Sequence, residues 1–112
     1  MKILLYSKSN FIKDELKKEN SFFKELTVIK SLENIKKDIE SNSSLFVLHH
    51  LNDFENDIDL FSNLLKEYKN IYLIALSNTP TNLEGCKLLR AGYKSYLHSL
   101  SNYQILKSAV ES

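Results

Sequence analysis

The chain has 112 residues, of which 43% are hydrophobic and 26% charged, so it suits one domain, residues 1–112, with a buried core. Fifteen basic and fourteen acidic residues give a formal net charge of +1, which argues against direct nucleic-acid binding and against an anionic membrane as partner. No apolar run approaches the ~20 residues of a membrane helix, and the single cysteine excludes an intrachain disulfide. We therefore expect a cytoplasmic protein.

The first half of the chain alternates short apolar runs with amphipathic segments. Strands are predicted at three runs of four residues, 3–6, 26–29 and 45–48. Ser9 or Asn10 is a suitable cap for the helix after the first strand. A second helix is predicted to begin at Ser31, because apolar residues recur there at spacings of three and four.

The second half repeats this alternation twice more. Residues 52–59 form a polar stretch with four acids and are predicted to be a loop before a helix over 60–68. The remaining elements are predicted as a strand over 71–76, a helix from Pro80 to Gly92, a strand over 96–98 and a helix over 102–110. The buried side of the helix before Gly92 is predicted to consist of Cys86, Leu88, Leu89 and Ala91.

Five successive strand–helix units predict the fold class. Short, strongly apolar strands separated by helices indicate a parallel sheet that helices cover on both faces. Right-handed crossovers leave few topologies, and we predict an α/β, flavodoxin-like sheet of five strands in the order 2-1-3-4-5. Chemistry in such sheets collects beyond the carboxyl ends of the strands, where this chain has His49-His50 and Ser77-Asn78.

The last third of the chain suggests a family. Residues 89–97, Leu-Arg-Ala-Gly-Tyr-Lys-Ser-Tyr-Leu, resemble the stretch of response-regulator receiver domains in which a helix ends on Ala-Gly and a strand carries Tyr-Leu. The separations between positions 49, 77 and 99 are similar to those between that family's phosphoacceptor aspartate, hydroxyl residue and lysine. The resemblance extends over the whole chain and is greatest to receivers that precede a helix-turn-helix output domain.

The resemblance implies a degenerate phosphoacceptor pocket. The family's acceptor aspartate corresponds to His49, its two metal-binding acids to Ser7 and Lys8, its hydroxyl residue to Ser77 and its lysine to Ser99. Imidazole is a poor ligand for Mg²⁺, which prefers oxygen ligands. We therefore expect a pseudo-receiver with no metal, no cofactor and no enzymatic activity.

Details of this pocket depend on the register of the strands. A shift by one residue would place His50, also a histidine, at the acceptor position. Asp53 and Asp57 follow in the predicted loop and are expected to lie too far along the chain to reach the pocket. The ammonium of Lys8 is expected to pair with Asp53 or Glu55.

Three functions are compatible with these residues. The first is regulation by contact with a protein partner or by homodimerisation, with a DNA-binding output domain outside this chain; the predicted interface residues are Lys94, Tyr96, Tyr103 and Leu106. The second is a small phosphoryl carrier or enzyme that uses His49 as nucleophile. The third is a sensor of small anions near Lys8 and Ser77. Adjacent strand residues point to opposite faces, which argues against a metal site at His49-His50.

Overall fold

The computed structural model describes residues 1–18 and 22–112, except for the side chain of Tyr103. Five strands are present: β1 (Lys2–Tyr6), β2 (Thr27–Ile29), β3 (Leu45–His50), β4 (Ile71–Ser77) and β5 (Ser95–His98). They form one parallel sheet in the order β2-β1-β3-β4-β5. The predicted flavodoxin-like topology is confirmed.

Helices follow each strand. They are α1 (Asn10–Lys18), α2 (Ile35–Glu40), α3 (Leu51–Phe54), α4 (Ile58–Glu67), α5 (Asn82–Arg90) and α6 (Tyr103–Glu111), with a 3₁₀ turn at Glu55–Asp57. The predicted loop at 52–59 is wrong, because α3 begins directly after β3 and the 3₁₀ turn joins it to α4. None of the helices in the described ranges is long and apolar enough to cross a membrane.

The core has two parts, one on each face of the sheet. Helices α2, α4 and α5 cover one face, where Ile39, Phe61 and Leu88 are fully buried. Helices α1 and α6 cover the other face, where Leu16 and Leu106 are buried. Because both faces are covered, the central strands are apolar on both sides, as in other parallel sheets.

Helix α5 differs from its predicted orientation. Leu88 is fully buried, but Cys86 is exposed and Leu89 is 54% exposed. The side of α5 that faces the sheet instead contains Gly85, whose Cα lies so close to the Tyr96 ring that an added Cβ would be 2.9 Å from a ring carbon. At 3.6 residues per turn, Cys86 lies about 100° around the helix from Gly85 and is directed away from the sheet. Leu89, four residues after Gly85, lies at the margin of the buried side and stays partly exposed.

Parallel pairing brings the carboxyl ends of four strands together. Tyr6 of β1 pairs with His49 of β3, and His49 pairs with Ala75 of β4. Ser77 of β4 pairs with His98 of β5. The polar residues that end or follow these strands therefore share one edge of the sheet, which we call the carboxyl edge: Ser7, Lys8, His49, His50, Ser77, Asn78 and Ser99.

Candidate functional site

The two adjacent histidines of β3 lie in different environments. His49 belongs to the face covered by α4 and is fully buried. Its Nε2 lies 2.7 Å from the carbonyl oxygen of Phe54, and its Nδ1 lies 2.7 Å from the hydroxyl of Tyr93. A carbonyl only accepts hydrogen bonds, so Nε2 carries the proton and Nδ1 accepts from the tyrosine.

His49 is held in its neutral form. Burial lowers the pKa of His49 below its ordinary 6.5, although the bond to Phe54 and the charge of Asp57 act in the opposite direction. Burial also raises the pKa of Tyr93, together with the charge of Asp57, so its hydroxyl stays protonated and can donate. A buried ring with both nitrogens bonded offers no nucleophile, and this geometry does not support phosphoryl transfer at His49.

His50, not His49, points into the carboxyl edge. Its Nδ1 lies 2.8 Å from Asp53 Oδ2 and 3.0 Å from Ser7 Oγ, and its Nε2 lies 2.9 Å from Asn78 Oδ1. The ring is 4% exposed. His50 therefore occupies the place predicted for His49, because the pleat of β3 sends successive side chains to opposite faces.

Asp53 reaches this edge, contrary to expectation. The single turn of α3 folds the chain back over the end of β3 and returns Asp53 to His50, three residues earlier. Asp53 Oδ2 also accepts from the Ser7 hydroxyl at 3.1 Å and from the Lys8 backbone N–H at 2.7 Å. Burial raises the pKa of Asp53, but these donors outweigh it and lower the pKa overall.

Lys8 contributes its backbone rather than its charge. Its N–H binds Asp53, whereas its ammonium lies 5.1 Å from the ring centre of Phe54. The expected ion pair with Asp53 or Glu55 is absent from the ion pairs of residues 1–18 and 22–112. Phe54 in turn stacks on Tyr6 at 3.8 Å between ring centres, so the lysine covers the outer side of this stack.

The three remaining polar residues of the carboxyl edge, Ser77, Asn78 and Ser99, make hydrogen bonds to neighbouring residues. Ser77 is buried, and its hydroxyl accepts from the N–H of Thr79 at 3.2 Å. Ser99 donates its hydroxyl to Asn78 Oδ1, the same oxygen that faces His50. The Asn78 N–H is bound by Asn52 Oδ1 of α3 at 2.8 Å. The structure thus brings Ser7, His50 and Ser99 into one network and adds Asn52, Asp53 and Asn78.

This network is not a serine–histidine–aspartate triad. Such a triad needs a histidine whose two nitrogens bridge the hydroxyl and the carboxylate. Here Ser7 and Asp53 both face Nδ1 of His50, and Asn78 faces Nε2. The described part of the chain also contains no group of three histidine, cysteine, aspartate or glutamate residues that could hold a metal ion.

The predicted interface is corrected in part. Leu106 is 1% exposed and packs in the core, because α6 turns this side of the helix toward the sheet. The Lys94 ammonium donates to the carbonyl of Val110 at 2.9 Å and lies over the rings of Phe46 and Tyr72. The side chain of Tyr103 lies outside the described part of the structure.

Tyr96 is partly exposed and connects β5 to the start of α5. Its hydroxyl donates to Glu84 Oε1 at 2.6 Å and accepts from the N–H of Thr81 at 2.8 Å. Its ring packs against Gly85, where the missing side chain makes room for it. These contacts hold the Tyr96 ring against α5, beside an open cleft that Cys86 and Leu89 also line.

Comparison with known proteins identifies the fold. No protein-family model matches the chain, and no curated protein matches its sequence. Among solved structures, a response regulator from Thermotoga maritima is 15% identical with a TM-score of 0.76, and the match covers 99% of this chain and 98% of that one. An orphan response regulator, described as atypical and as having a phosphorylation-independent regulatory mechanism, is 18% identical with a TM-score of 0.72, covering 99% and 92%.

A third similar structure carries the modification that the resemblance concerns. It is a response regulator from Burkholderia pseudomallei with a phosphorylated aspartic acid, 11% identical with a TM-score of 0.71. The match covers 96% of this chain, which spans 65% of the length of that protein. This chain therefore has the fold of response-regulator receiver domains.

Proposed function

We propose that this chain is a cytoplasmic regulatory domain that acts through contact with a protein partner or a second copy, without aspartyl phosphorylation. The observation that carries the proposal is the closed network at the carboxyl edge. There His50 and Asp53 bind each other at 2.8 Å, and neighbouring residues bind both of them. We propose no catalytic activity for this network.

The chemistry of phosphoryl transfer supports this proposal. Phosphorylation of a carboxylate needs Mg²⁺ to neutralise the charge of the transferred group, and Mg²⁺ needs oxygen ligands in octahedral geometry. After β1 this chain offers a neutral hydroxyl, Ser7, and a cation, Lys8. Asp53, whose carboxylate reaches the edge, already accepts three hydrogen bonds through one oxygen.

The comparisons leave both modes of regulation open to this fold. The fold accommodates a protein with a phosphorylated aspartate and one described as regulated independently of phosphorylation. The fold therefore does not decide between the two modes, and the residues at the carboxyl edge must. In this chain those residues favour the second mode.

A surface beside Tyr96 supports self-association. Leu89 is 54% exposed and lines the cleft beside Tyr96. Leu83 is 84% exposed and lines a separate cleft with Lys87, and neither leucine has a covering element in the described structure. Apolar and aromatic residues are typical of interface cores. We propose that this side of α5 contacts a second copy, and that binding of DNA belongs to an output domain outside this chain.

The first experiment tests the phosphorylation claim. Amide NMR spectra are recorded without and with Mg²⁺ and beryllofluoride, a mimic of the phosphoryl group. We expect no shifts at residues 7–8, 50–53 and 77–78, because the network excludes the mimic. A receiver domain with an intact aspartate serves as positive control. Saturable shifts at these positions in this chain would contradict the proposal.

The second experiment tests self-association. Sedimentation equilibrium of the unaltered chain is expected to show a dimer that forms with rising concentration. Leu83→Lys is expected to weaken it at least tenfold, because a charge would be buried in the contact. The matched control is Phe11→Lys, which changes an exposed ring on α1, on the opposite face of the sheet. A monomer at all concentrations, or equal effects of both variants, would refute this contact.

A further inference from the structure

Three hydrogen-bond donors converge on a single oxygen at the carboxyl edge. Asp53 Oδ2 lies 2.7 Å from the Lys8 N–H nitrogen, 2.8 Å from His50 Nδ1 and 3.1 Å from Ser7 Oγ. Hydrogen bonds to an ionised oxygen are the strong ones, and backbone N–H groups are recurring parts of anion sites. The donors therefore have the arrangement of a binding site for an oxyanion.

We propose that Ser7, the Lys8 N–H and His50 form an oxyanion-binding site that the chain fills with its own Asp53. The ligand class is a small anion with a carboxylate or phosphate oxygen. This inference goes beyond the proposed regulatory function and does not depend on it. On this proposal, the degenerate phosphoacceptor pocket predicted from the sequence is not empty, because the Asp53 carboxylate occupies it.

The donors are positioned independently of the occupant. His50 is fixed on β3 and also faces Asn78 through Nε2, and Ser7 Oγ accepts from the N–H of Ser9 at 2.9 Å. Both residues are buried, with exposures of 0% for Ser7 and 4% for His50. Asp53 is different, because it lies on a helix of four residues and its side chain is 23% exposed. The receiving groups would thus remain in place if the carboxylate left.

Removal of the Asp53 carboxylate would leave its donors without an acceptor. Two other acids of this segment do not replace it: Asp57 accepts from the Tyr6 hydroxyl at 2.7 Å, and Glu55 is exposed. Buried donors without a partner carry a free-energy cost, so an external oxyanion is favoured there.

Asp53→Ala tests the inference by chemical rescue. The variant is titrated with sodium acetate or inorganic phosphate at constant ionic strength, without Mg²⁺, and the Lys8 amide is followed by NMR. We expect saturable binding of one or both anions, at least tenfold tighter than to the unaltered chain. Acetate is expected to return the Lys8 amide proton shift toward its value in the unaltered chain, because it restores the lost acceptor.

Matched variants and salts complete the design. Asp53→Asn keeps the volume and an acceptor oxygen, so the site should stay filled and bind neither anion. Sodium chloride controls for ionic strength. Binding of acetate alone or of phosphate alone supports the site and defines the preferred geometry, planar or tetrahedral.

Two results would overturn the inference. One is a folded Asp53→Ala variant, shown by dispersed amide signals, that binds neither anion. The other is equal binding by the variant and the unaltered chain. If Asp53→Ala does not fold, Asp53→Ser is titrated instead under the same criteria. Failure here leaves the proposed function intact, since that rests on Mg²⁺ and beryllofluoride with the unaltered chain.

Discussion

His49 and His50 are neighbours in sequence, yet one serves the interior and the other the carboxyl edge. His49 is fully buried under α4 with two partners that fix one neutral tautomer. His50 lies among polar side chains and bonds the Asp53 carboxylate and the Asn78 amide oxygen. A histidine side chain thus packs in the core on one face of β3 and bonds polar side chains at the end of the strand. The difference comes from the pleat of the strand and the polarity of what each ring meets.

The largest expected effect comes from truncating the interior histidine. His49→Ala should lower the free energy of unfolding by about 3 kcal/mol, because it leaves a cavity and two buried polar groups without partners. His50→Ala should cost about half as much, since water can reach Asp53. Urea unfolding monitored by circular dichroism measures both.

The third histidine is the control for this comparison. His98 is exposed at the end of β5, and His98→Ala should change the free energy of unfolding by less than about 0.5 kcal/mol. If His50→Ala lowers the free energy of unfolding as much as His49→Ala does, or more, the distinction between an interior and an edge histidine is refuted.

A second, smaller effect is the pH dependence that His49 causes. Its pKa is lower in the folded protein than the ordinary 6.5 of the unfolded chain, so below pH 6.5 the unfolded state binds a proton that the folded state does not. Stability contributed by His49 is therefore complete above pH 6.5 and is lost as pH falls, by at most about 1.4 kcal/mol per pH unit.

The measurement is urea unfolding at several pH values between 5 and 8, for the unaltered chain and for His49→Gln. Glutamine removes the titrating group, so the difference between the two curves isolates His49 from the other histidines. Parallel curves would show that His49 does not titrate differently in the two states.

The smallest expected effect concerns Lys8. Because Asp53 binds its backbone N–H, Lys8→Ala should leave the Lys8 amide shift and the anion site unchanged. Only the contact of the ammonium with Phe54 is lost, which we expect to cost about 0.5 kcal/mol in urea unfolding. Loss of the characteristic amide shift in this variant would mean that the ammonium positions Asp53 after all.

The order of the strands and of the longer helices was predictable because each buried strand is an apolar run and each longer helix has apolar spacing. The face to which His49 points was not predictable. Leu45-Phe46-Val47-Leu48 is apolar on both sides, so its sequence has no alternation from which to determine the inward side. The resemblance to receiver domains gave His49 as the pocket residue, whereas His50, one residue later, lies in the hydrogen-bond network at this end of the sheet.

Other features of the site were not predictable from periodic patterns in the sequence. A helix of four residues has too few positions to show a period, so the return of Asp53 to the carboxyl edge had no signal in the sequence. Leu106 was predicted at an interface, and only the packing of α6 shows that Leu106 is inside.

The exposure of Cys86 has a practical consequence for work on this protein. It is the only cysteine of the chain, it is exposed, and it lines the same cleft as Tyr96. A thiol-reactive fluorophore would therefore attach at one defined position and report on that cleft without an engineered mutation. The same thiol can also oxidise between molecules and produce covalent dimers, so association measurements require a reducing agent, and Cys86→Ser provides the variant in which only non-covalent dimers form.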